Sequence, residues 1–90
     1  MFIRSQDRKC IVNASYVRIV SSYKVFGIYS GIDVLGEYST EENALKVMDM
    51  IEDAIIDYET MIHNEDGFFN ERRIVFQMPT DNVVTAILSD

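Results

Sequence analysis

The chain has 90 residues, 48% hydrophobic and 26% charged, with a formal net charge of -7, which suits one soluble domain spanning 1–90 and leaves too little chain for a second core. Eight Lys and Arg stand against 15 Asp and Glu, a balance that opposes phosphate attraction and excludes duplex DNA or RNA as a first reading. No run approaches the ~18 apolar residues of a membrane span, and "MFIRSQDRK" lacks the apolar core of an export signal. Cys10 is the one cysteine, so an intrachain disulfide is impossible, a reducing cytosol is expected, and the thiol is read as a small buried hydrophobe.

Val, Ile, Tyr and Phe dominate short runs in the first 38 positions, predicting strands near 1–5, 10–13, 16–22, 24–30 and 33–38. The breaks "QDRK" and "SGID" carry turn chemistry, and "SSYK" is the weakest break. The period then changes. Ala44, Met48, Ile51, Ile55, Tyr58 and Ile62 recur at alternating steps of four and three, with Leu45, Val47, Ala54 and Met61 widening the stripe, which predicts an amphipathic helix over 40–63. Ser39 followed three residues later by Glu42 predicts a capping box, and Glu42 pairs in register with Lys46.

Such a helix is ~36 Å long, about twice the ~17–20 Å of a typical strand. Either it breaks, or Ile55, Tyr58, Met61 and Ile62 pack on another copy; a homo-oligomer, dimer or larger, is expected. A last strand is predicted over 72–78, ended by Pro79. The tail "TDNVVTAILSD" is apolar enough to dock as a helix or a strand, and both stay open. The expected fold is α+β, an antiparallel sheet of about five strands with one long amphipathic helix packed on one face.

Strand alternation gives one strongly apolar face, with Ile3, Val17, Ile19, Phe26, Ile28 and Leu35. The other collects Phe2, Arg4, Tyr16, Arg18, Val20, Val25, Tyr29, Val34, Tyr38, Arg73 and Gln77. In "FFNERRIVFQMP", Arg73 falls on this second face and Arg72 on the first, where an acidic helix residue would neutralise it. Tyrosine and arginine suit an interface or a nucleotide, since a base stacks on a phenol and a phosphate takes paired hydrogen bonds from a guanidinium.

His63 reads as a helix C-terminal residue favoured by the dipole. Asp49, Glu52 and Asp53 read as a solvated acidic face, so no metal site is expected. In the loop "NEDGFF", alignment on the glycine puts Ile62 and Arg73 where a calcium loop needs its first and last ligands, and the pattern fails. One histidine, one cysteine and no phosphate loop leave no catalytic constellation; "YSGIDVLG" has neither dinucleotide-motif spacing nor a following helix. No enzymatic activity and no cofactor are expected.

The stretches "MFIRSQD", "LGEYSTEENALKVMDMIEDA" and "VFQMP" resemble a set of small, mostly uncharacterised proteins of phages and prophages of Gram-positive bacteria. Their shared pattern is an M-F-I-R-S-Q start, an L-G-x-Y-S-T step before a helix, and F-Q-M-P near the end. The likeness covers most of the chain, and none of the three stretches is a catalytic motif. It implies a phage accessory protein acting in the host bacterial cytosol. Small proteins in that setting often counter bacterial defence, one strategy being an oligomeric sponge that sequesters a cyclic or ADP-ribose-derived nucleotide without cleaving it.

The expected function is therefore non-enzymatic sequestration of a small anionic signalling nucleotide. Arg4, Arg18, Arg72 and Arg73 are the candidate phosphate ligands, and Tyr16, Tyr29 and Phe69 the stacking residues. The alternative is an acidic inhibitor of a host defence protein, presenting Asp49, Glu52, Asp53 and Asp57. A third possibility is that the tyrosine face is only a contact between copies.

Overall fold

A computed structural model of the chain describes residues 1–64 and 75–89, the side chains of 57–64 excepted. The elements run β1 (Phe2–Arg4), β2 (Ile11–Asn13), β3 (Arg18–Ser22), β4 (Val25–Ser30), β5 (Asp33–Tyr38), α1 (Glu41–Asn64), β6 (Val75–Gln77) and α2 (Asp81–Leu88). The fold is α+β, with each predicted strand in the first 38 residues found within two residues of its expected ends.

The single five-stranded sheet is not formed. Among the described residues two sheets of three strands occur instead, ordered β2-β1-β6 and β3-β4-β5. β1 is central in its sheet, antiparallel to β2 and parallel to β6. The returning C-terminal strand takes the second edge of β1, a long-range pairing with no local signature. β3, β4 and β5 form an antiparallel meander joined by two-residue turns at Tyr23–Lys24 and Gly31–Ile32.

Both inner faces and both helices share one core. Ile3, Ile28, Leu35, Val47, Met78 and Val84 are buried in it, with Val17, Ile19, Phe26 and Phe76 packed against it. Burial of each such aliphatic side chain stabilises by ~1.5–3 kcal/mol over leaving it exposed. The apolar-face assignment therefore matches the packing, and Tyr38 is the correction on the other side. It is 1% exposed and sits in this core. The cause is an irregularity in the β4–β5 ladder: Tyr29 pairs with Val34, yet Ile28 pairs with Gly36 and Phe26 with Tyr38. One extra residue on β5, at Leu35, reverses the parity beyond it, so Tyr38 turns inward.

α1 packs on the core through Ala44, Val47 and Ile51. Leu45, expected to widen the stripe, is 49% exposed. The cap also differs: Asn43 N–H donates to Thr40 Oγ1 at 3.0 Å, so Thr40 rather than Ser39 begins the helix. Beyond Ile51 the described apolar side chains lose their cover, with Ile55 and Ile56 exposed. The tail "TDNVVTAILSD" forms a helix over Asp81–Leu88. Thr80 caps α2, accepting from Val83 N–H at 3.4 Å, and Val84 fills the core side. Cys10 is exposed rather than buried. Its carbonyl accepts from Ser5 N–H at 2.8 Å and its N–H donates to Ser5 Oγ at 3.0 Å, so its backbone closes the β1–β2 loop at the surface. Among the described residues no helix is long and apolar enough to cross a membrane.

Candidate functional site: the outer face of the β3–β4–β5 sheet

The β3–β4–β5 register sorts the outward side chains into rows: Arg18, Tyr29 and Val34 in one, Val20, Gly27 and Glu37 in the next. Gly27 explains how Tyr29 lies. A Cβ built at Gly27 would stand 2.7 Å from Tyr29 Cε1, so the phenol lies flat over a residue that must lack a side chain. Glycine in a strand interior commonly marks such a close approach. Arg18 extends over the same ring, its guanidinium carbon 5.7 Å from the centroid, within the ~6 Å reach of a cation–π contact. One guanidinium nitrogen donates weakly to the Gly31 carbonyl at 3.5 Å.

Among the described residues Arg18 has no carboxylate partner. Arg18 is exposed, in a chain of net charge -7. Tyr16, two residues before β3, is 55% exposed, and Val34 at the end of the Arg18 row is 43% exposed. The face thus carries a stacked cation with Val34 in its row.

The expected ligand residues do not all gather here. Arg18 and Tyr29 are in contact. Arg4 belongs to the other sheet, in the row Ile11, Arg4, Gln77, with its Nε donating to the Arg8 carbonyl at 3.1 Å. Phe69, Arg72 and Arg73 lie outside the described residues. For the alternative reading, Glu41, Glu42, Asp49, Glu52 and Asp53 are all exposed on α1, and the Asp57 side chain lies outside the description.

A second polar cluster, missed in the sequence, joins the sheets to the helices. Gln6 donates from Nε2 to the carbonyls of Glu37 at 3.2 Å and Pro79 at 3.1 Å, and accepts from Glu37 N–H at 3.1 Å. Tyr38 also donates to the Pro79 carbonyl, at 2.8 Å. Gln77 Nε2 donates to Ser5 O at 2.9 Å. Asp81 Oδ1 accepts from Ser39 N–H at 3.0 Å and from Asn43 Nδ2 at 2.9 Å, and the same Asn43 amide donates to Thr85 Oγ1 at 2.9 Å. The stretches 1–7, 35–54 and 75–79 thus meet in space.

This cluster is a joint, and its charges are set by its bonds. Burial, with the Asp81 charge adding, pushes the Tyr38 phenol above its usual range. The Asn43 amide and then the Ser39 N–H hold Asp81 below the usual carboxylate range. In the β1–β2 loop, the Ser5 hydroxyl and then the Lys9 N–H hold Asp7 low. Among the described residues no buried side-chain polar atom lacks a partner, as expected of a structural joint. Arg18 and Tyr29 stand apart from this joint. No family model, curated protein or solved structure matches the chain.

Proposed function

We propose that the protein is a non-enzymatic binding protein that captures a small anionic nucleotide on the outer face of the β3–β4–β5 sheet, as a phage-type counter-defence sponge would. The observation that carries this reading is Arg18, whose guanidinium lies over the Tyr29 ring and, among the described residues, has no carboxylate partner. A phosphate takes paired, charge-assisted hydrogen bonds from a guanidinium edge. A base or ribose would lie against Tyr16 and Val34, beside the Tyr29 ring. Arg72, Arg73 and Phe69 complete the proposed set on sequence grounds. Arg4 contributes at most from the neighbouring sheet.

The test is calorimetry against cyclic dinucleotides, cyclic trinucleotides and cyclic ADP-ribose isomers, with the ligand recovered after heating the complex. Recovery of intact ligand, and at least tenfold weaker binding by Arg18→Ala, is the expected result. Absence of binding across the panel removes the reading.

The exposed carboxylates of α1 support a second reading, inhibition of a basic host protein. A single partner captured from lysate at low salt and released at high salt would favour it, because screening weakens contacts between exposed charges.

A further inference from the structure

The two long outer strands of the β3–β4–β5 meander are treated differently. The open side of β5 is closed by Gln6, whose main-chain N–H donates to Leu35 O at 2.7 Å and whose side-chain amide exchanges hydrogen bonds with Glu37. Among the described residues β3 has no such cover. Among the described residues its backbone groups have partners in β4 alone.

Which groups remain open follows from the turn. Residues closing a two-residue hairpin exchange both backbone hydrogen bonds, and successive pairs alternate from there. Ser22 and Val25 close the Tyr23–Lys24 turn, so Ser22, Val20 and Arg18 direct their backbone groups to β4. Ile19 and Ser21 direct theirs outward.

We propose that β3 pairs with β3 of a second copy, antiparallel about a two-fold axis at Val20. The strand is self-complementary in this register: Ile19 of each copy faces Ser21 of the other, and their outward N–H and C=O groups exchange hydrogen bonds on both sides of the axis. Val20 then meets its own counterpart as a non-hydrogen-bonded pair, Cα atoms ~4.5 Å apart. Proline, bulges and inward charges are the usual protections of an open edge, and the sequence RIVSS has no proline while the ladder irregularity lies between β4 and β5. The edges of the other sheet, β2 and β6, are only three residues long. The pairing joins two three-stranded meanders into one continuous sheet. It also sets both Arg18–Tyr29 pairs on one face, the two Arg18 Cα atoms roughly 14 Å apart, from ~3.3 Å per residue over four residues and ~4.8 Å between strands. Only the consequence that one ligand bridges two chains rests on the function proposed above.

The experiment is sedimentation of ligand-free protein, with circular dichroism as the check on folding. Ser21 is exposed and its N–H faces outward, so Ser21→Pro should keep the fold and give monomer where the unsubstituted chain gives dimer. Val20→Lys and Val20→Glu place like charges against themselves at the axis. Each alone should be monomeric, and an equal mixture should recover the dimer. A monomeric unsubstituted chain overturns the proposal, as does a dimer that survives both Val20 substitutions. Should Ser21→Pro lose the native dichroism, the Val20 pair still decides. Dimer without nucleotide binding upholds the edge pairing and removes the proposed function, and the converse result does the opposite.

Discussion

Gln6 and Glu37 exchange hydrogen bonds as paired strand residues do, but Gln6 does so with its side chain: Nε2 donates to the Glu37 carbonyl at 3.2 Å and Oε1 accepts from the Glu37 N–H at 3.1 Å. The amide has to supply a donor and an acceptor at once. Gln6→Glu replaces the donor by a charged oxygen facing the Glu37 and Pro79 carbonyls, and should cost about 2 kcal/mol in urea denaturation. Gln6→Met keeps the shape, loses the bonds without adding repulsion, and should cost about 1 kcal/mol.

Tyr38 gives the protein a signature at alkaline pH. Its folded-state pKa is raised by burial first and by Asp81 second. The contribution is fully present below the unfolded value of about 10 and is lost as pH rises above it toward the folded value. Stability measured in urea between about pH 8 and about pH 11 should therefore decline at the upper end. Tyr38→Phe should be about 1 kcal/mol less stable at neutral pH, from the lost bond to Pro79, and decline less steeply.

Asp81 acts at the other end of the scale. The Asn43 amide and the Ser39 N–H depress its folded-state pKa, so its contribution is present above the unfolded value of about 3.9 and is lost as pH falls through the lower folded value. Asp81→Asn should cost about 1 kcal/mol at neutral pH, from the weaker hydrogen bonds and the lost charge at the α2 N-terminus. Its acid unfolding should show a smaller pH dependence than that of the unsubstituted chain. Asn43→Ala, which strips donors from both Asp81 and Thr85, should cost somewhat more, about 2 kcal/mol.

Tyr23 and Gly31 hold the same place in successive hairpins, the first residue of a two-residue turn, with φ of 54° and 60°. Glycine takes this conformation freely and tyrosine does not. Tyr23 is fully exposed, so Tyr23→Gly removes no core contact. It should gain about 0.5 kcal/mol, strain relief outweighing the added unfolded-chain entropy, or a few degrees in Tm. Gly31→Ala should lose about 1 kcal/mol. Thermal unfolding at low protein concentration checks both.

Periodicity by itself determined the strands from β1 to β5, the extent of α1 and the apolar inner face, because each is written in residues a few positions apart and follows from how a strand or helix directs its side chains. The Arg18–Tyr29 pair was legible as members of one face. That the ring lies over Gly27 is implicit in a glycine and a tyrosine two apart on a strand, though only the packing shows it. Tertiary structure decided what depended on distant partners. β6 returned beside β1, and the strands formed two sheets with Arg4 on one and Arg18 on the other. An extra residue at Leu35 turned Tyr38 into the core, where the carbonyl of Pro79, far along the chain, accepts its hydrogen bond. Asp81 claimed the Ser39 N–H and left the α1 cap to Thr40. Local spacing has no access to these outcomes, because each settles which of several satisfiable groups finds its partner, and that partner is brought near only when the chain closes on itself.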